Sequence, residues 1–97
     1  MPKQTFHLKV VSREGNVYEG EVISITSYNE QGKFDVLAQH ANFISLIARG
    51  LDIAEINGNA KQINFDNALI RVKQNIVEVY LGVEGMAPAN FVQYNKS

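Results

Sequence analysis

Cysteine is absent from this 97-residue sequence. That excludes a disulfide framework, a thiolate nucleophile and a cysteine-type zinc site, and it suits a reducing compartment. Long apolar runs are missing too. None approaches the ~20 residues needed to span a bilayer, and the opening stretch MPKQTFHLKVV has no apolar core long enough for a secretory signal. The glycosylation-type match at Asn95-Lys96-Ser97 is therefore read as a chance hit. Neither sign of charge dominates. A net charge of -1 and a pI near 6.1 exclude the strong basic excess of a sequence-independent nucleic-acid binder, so no nucleic-acid partner is expected. Histidine is scarce, with only His7 and His40, far apart and without local partners at metal-ligand spacing.

What is present is enough for one domain. A chain of this length buries roughly 60–65% of its unfolded surface. A hydrophobic fraction of 45% beside 20% charged residues is ordinary for a globular protein. Phe6, Leu8 and Val10 alternate with His7 and Lys9, the period of a half-buried strand. Ser12-Arg13-Glu14-Gly15-Asn16 reads as a turn. Val17-Tyr18 reads as a short strand punctuated by Gly20. Val22 to Tyr28 is rich in β-branched residues and reads as another. After the Asn29–Gly32 turn, Phe34, Val36 and Leu37 form an apolar piece that breaks at Ala38-Gln39-His40-Ala41-Asn42. The run Phe43–Ile47 follows, so residues 38–42 read as a corner in which His40 faces outward.

Ala48-Arg49-Gly50 reads as a turn. Leu51–Ile56 and Ala60–Phe65 flank Asn57-Gly58, a strong hairpin signal, and a slip in alternation between Ile53 and Ile56 predicts a bulge. Leu69–Val72 and Ile76–Leu81 form a second hairpin about Gln74-Asn75. Val77, Val79 and Leu81 face in, and Glu78 faces out. The pattern predicts an all-β fold, an antiparallel β-sandwich of about eight to ten short strands, with no helix longer than about two turns. Residues 1–82 are the sandwich domain, and residues 83–97 read as a tail without a helical hairpin.

The chemistry is sparse. Asp35, His40 and Ser45 are the residue types of a hydrolytic triad, but triads are assembled by geometry and no nucleophile elbow surrounds a serine. No glycine cluster has the phosphate-loop or dinucleotide pattern. The nine aromatics, four Tyr and five Phe, are not interleaved with basic residues as a base-stacking platform requires. No catalytic residue, metal or cofactor is expected. A small, near-neutral β domain of this kind works by contact. One such role is a free-standing module that binds a carbohydrate or peptide through exposed tyrosines.

A more specific reading comes from likeness. Gly32, Phe34, Asp35, Val36, Leu37, His40, Ala41, Phe43, Ile44 and Ser45 stand as in the epsilon subunit of bacterial F-type ATP synthase, which the chain resembles over about residues 5–82. Phe6–Ser12 and Val17–Val22 are similar to the family's opening strands, and Ala68–Val72 and Asn75–Val79 to its last hairpin. The chain differs at Ala38 and Asn42, where the family often has proline, and at Lys33, where it often has an acidic residue. The resemblance implies a non-catalytic central-stalk (rotor) subunit of a proton-translocating ATP synthase. It would couple the gamma subunit to the c-ring at the cytoplasmic face of the membrane, with no direct membrane insertion. By matching positions, Ser12, His40, Ala41, Asn42 and Phe43 would contact gamma, and Gly32 and Lys33 the c-ring. The family usually continues into two C-terminal helices that regulate ATP hydrolysis, and nothing of that activity transfers to residues 1–97.

Overall fold

The computed structural model describes residues 4–39 and 41–82, and every regular element among them is a β-strand. In chain order these are β1 (Phe6–Ser12), β2 (Gly15–Asn29), β3 (Gly32–Leu37), β4 (Phe43–Glu55), β5 (Ala60–Ile63), β6 (Asn67–Lys73) and β7 (Ile76–Leu81). The expected tail, residues 83–97, lies outside the described residues.

The alternation read from β1 is realised in full. Phe6, Leu8 and Val10 are buried completely, while His7 and Lys9 face out. β6 and β7 repeat the pattern with Ile70 and Val72, Val77 and Val79. Each such side chain contributes roughly 1.5–3 kcal/mol by leaving water. β5 buries no side chain fully and forms an edge.

Five strands close into a ring in the order β2-β1-β7-β6-β4, completed by pairing between β4 and β2; β3 extends from β2, and β5 from β4. The two long strands are shared between layers. The first half of β2 pairs with β1 and the second half with β3. The first half of β4 pairs with β6 and the second half with β5. The result is a two-layer, barrel-like sandwich with the core between.

Among the described residues this corrects the expected eight to ten strands to seven, and for a definite reason. Two breaks read from the sequence are bends inside continuous strands. Gly20 keeps its place in the ladder opposite Leu8, so Val17-Tyr18 and Val22–Tyr28 are one strand. Ala48-Arg49-Gly50 is a bulge and not a turn. Thr26 and Tyr28 of β2 face Asp52 and Ala48 of β4, so β4 accommodates extra residues there, with Arg49 and Gly50 at φ of 68° and 91°. The slip expected in β4 near Ile53 lies across the ladder in β2, where Val22 faces Glu55 and Ser24 faces Ala54, leaving Ile23 extra. Nor is the sheet wholly antiparallel: β1 and β7, the first and last strands, pair in parallel. Alternation within a strand carries no information about such a distant partner.

The β4 bulge is locked from inside. The buried Ser27 hydroxyl donates to the Gly50 carbonyl at 2.8 Å. A Cβ on Gly50 would stand 2.9 Å from the Ile63 carbonyl oxygen. Position 50 therefore needs glycine both for its left-handed φ and for the close approach of β5. Both expected hairpins are present. Glu55 and Asn59 close the Asn57-Gly58 turn, and Gln74 turns the chain between β6 and β7 at φ 55°.

Candidate docking site

The corner between β3 and β4 is fixed at its exit. Asn42 accepts a 2.7 Å hydrogen bond at Oδ1 from the Gln74 backbone N–H, tying the corner to the β6–β7 turn. Gln39 takes a positive φ of 65°, and Ala41 and Asn42 are exposed. His40, between them, lies outside the described residues. Phe43 is half-buried and packs edge-to-face on Phe34, ring centres 6.1 Å apart. It therefore joins the corner to the core and serves as packing and surface together.

Beside the corner runs a surface groove of about 360 Å³, lined by Asn42, Phe43, Ile44, Arg71, Val72 and Lys73. Ile44 and Leu46, pointing outward from β4, are 46% and 50% exposed, so the apolar surface continues past Phe43. On the same outer face Arg71 donates to Glu78 at 2.9 Å, and the Tyr80 hydroxyl donates to Glu78 at 2.8 Å. These two donors, with Tyr80 first, hold the Glu78 carboxyl below its ordinary range. β6 supplies half the groove from about 30 residues downstream, which local spacing could not reveal.

Ser12 does not lie beside this corner. It ends β1, where its hydroxyl accepts from the Glu14 N–H at 3.2 Å. Its neighbour Val11 aligns through Tyr80 and Leu69 with Leu46. Ser12 is thus further than about 10 Å along the strands from Phe43. Gly32 and Lys33 form a third location, the β2–β3 tip. Asn29 Oδ1 accepts from the Gln31 N–H at 2.9 Å, Gly32 has φ 118°, and Lys33 lies opposite Tyr28. Tyr28 in turn faces Ala48, and Arg49 stacks on its ring at 4.5 Å.

The other chemical candidates are occupied locally. Asp35 accepts from Thr26 at 2.6 Å, and Ser45 donates to the Leu46 carbonyl at 3.1 Å, so neither engages the other. Tyr18 donates to Glu55 at 2.5 Å, joining the two layers; burial, then that bond, pushes its pKa up to about 12. With Tyr28 under Arg49 and Tyr80 on Glu78, three of the four tyrosines are committed to intramolecular contacts. Among the described residues no group of His, Cys, Asp or Glu is placed to hold a metal ion.

The described body coincides with a known domain. Residues 5–82 match the family model described as the ATP synthase, Delta/Epsilon chain, beta-sandwich domain. The ATP synthase epsilon chain of a Nitratiruptor species is 33% identical over 85 residues, covering 87% of this chain and 64% of the relative. That of Sulfurimonas denitrificans is 32% identical over 79 residues, 80% of this chain and 59% of the relative. The chain thus spans somewhat less than two thirds of the length of these relatives. Among solved structures, a chain of the Euglena gracilis mitochondrial ATP synthase, described as OSCP/F1/c-ring, superposes with a TM-score of 0.74 at 18% identity, over 97% of this chain and 62% of that one. A chain from the Tetrahymena thermophila mitochondrial ATP synthase central stalk and c-ring gives 0.65 at 12% identity, over 84% and 66%. Both show the same fold.

Proposed function

The chain belongs to the β-sandwich family of ATP synthase delta and epsilon chains, and on that premise we propose that it is a non-catalytic central-stalk subunit that couples the gamma subunit to the c-ring of a proton-translocating ATP synthase. The observation that carries the reading is the extent of the match. The family's domain takes in residues 5–82, nearly all of the described body, and Ala41 and Asn42 of the corner and Gly32 and Lys33 of the tip are exposed on it. It would sit peripherally at the cytoplasmic face of the membrane.

In this reading gamma takes the corner, through His40, Ala41, Asn42 and Phe43, with Ser12 as a separate outlying contact. The c-ring takes the tip, through Gly32 and Lys33. The spacing supports two partners and not one. Lys33 faces Tyr28, which faces Ala48, and Ala48 lies five residues of β4 from Phe43, about 17 Å. The corner is tied to the β6–β7 turn through Asn42 and Gln74, and the tip is closed on itself through Asn29 and Gln31. The experiment is capture of the gamma subunit encoded in the same genome by the purified chain, with a glycan panel alongside. Gamma should be captured and glycans should not. Failure to capture gamma, or selective glycan binding, overturns the reading.

A further inference from the structure

On the outer face of the β1–β2 hairpin, His7 lies between two carboxylates of the neighbouring strand. Its Nε2 stands 2.8 Å from Glu19 Oε2 and its Nδ1 3.0 Å from Glu21 Oε2. Each carboxylate is held by its second oxygen as well. Asn16 donates to Glu19 Oε1 at 3.3 Å, and Thr5 donates to Glu21 Oε1 at 3.1 Å. The ladder sets this arrangement, because His7 pairs with Glu21 and Lys9 with Glu19. On the other side His7 faces Ile76 of β7, and its backbone N–H donates to the Asn75 carbonyl.

A neutral imidazole has one N–H and one lone pair, so it can donate to only one of two carboxylates; the imidazolium donates to both. We propose that His7 is a proton-controlled clasp on the outer face of the β1–β2 hairpin: protonated, it ties Glu19 and Glu21 to β1, and on losing its proton it releases one carboxylate and makes this face one unit more negative. The carboxylates cannot simply follow the ring, because Asn16 and Thr5 hold them in place.

The other charged groups on this face are few. On β1 itself Lys9 lies two residues away. From β7, Glu78 stands opposite Lys9 and is already engaged by Arg71 and Tyr80. From β6, Lys73 lies beyond Ile76. The bonds to Glu19 and then Glu21 raise the His7 pKa above its ordinary 6.5, against a smaller opposing effect of burial. Release therefore falls above that value.

The test is an NMR pH titration of the full chain, with the imidazole signals assigned by their loss in His7→Gln. The clasp predicts a wild-type midpoint above 6.5, both ring nitrogens protonated below it, and amide shifts of residues 5–8 and 19–22 that follow the same midpoint. Glu19→Gln with Glu21→Gln should move the midpoint down, and each single substitution should move it part of the way. A wild-type midpoint at or below 6.5 overturns the proposal, and that measurement needs no variant. So does an unshifted midpoint in the double variant, or amides of residues 5–8 and 19–22 that ignore the titration.

Discussion

The bulge at Arg49-Gly50 and the corner at Ala38–Asn42 read almost alike in sequence, each a short break between apolar runs. The structure treats them in opposite ways. The bulge is internal: its carbonyl is satisfied by a buried serine, its glycine sits against the Ile63 carbonyl, and the ladder continues through it. The corner ends one strand and begins another, exposes Ala41 and Asn42, and opens onto the groove beside Ile44 and Lys73. The first break is spent on folding, and the second is the one proposed to meet a partner. Substitutions at the two should therefore separate stability from binding.

The sharpest form of that contrast is Gly50→Ala. The added Cβ meets backbone at 2.9 Å and keeps an unfavourable left-handed φ, so a loss of about 2–4 kcal/mol in urea unfolding is expected. A change below about 0.5 kcal/mol would mean that the bulge is soft. Next, Ser27→Ala strands the buried Gly50 carbonyl and should cost about 1–3 kcal/mol in the same assay. At the corner, Asn42→Ala removes the acceptor for the Gln74 N–H, which can turn to water, so melting should show a loss of no more than about 1 kcal/mol. A loss as large as that of Ser27→Ala would erase the distinction between the two regions.

The smallest effect belongs to the clasp. Because folding raises the His7 pKa, its contribution to stability is complete below the unfolded value near 6.5 and fades as pH rises through the folded value. Wild type should lose slightly more stability than His7→Gln between pH 6 and pH 8 in parallel melts. Equal slopes for the two proteins would contradict this.

How much of this was legible follows the same contrast. The period-two pattern of β1 and β7 placed Phe6, Leu8, Val10, Val77 and Val79 in the core, and Asn57-Gly58 marked its hairpin, because both signals are local. The bends at Gly20 and Gly50 were read as breaks because a glycine that curves a strand and a glycine that ends one look the same until pairing is known. The clasp was not legible: the turn closes with Ser12 opposite Gly15, and His7 meets Glu21 only because the ladder shifts by one residue between Val10 and Val11. Nor was the groove, since Arg71 and Lys73 reach it through the β4–β6 pairing.

The central claim is that the corner docks gamma without supporting the fold. The most direct test measures gamma affinity and melting temperature on the same His40→Ala protein, with Lys61→Ala on β5 as a distant control. The account predicts binding weaker by about 1–2 kcal/mol with melting nearly unchanged, and no effect of Lys61→Ala on either. Unchanged gamma affinity in a folded His40→Ala protein, or a binding loss that only tracks lost stability, would contradict it.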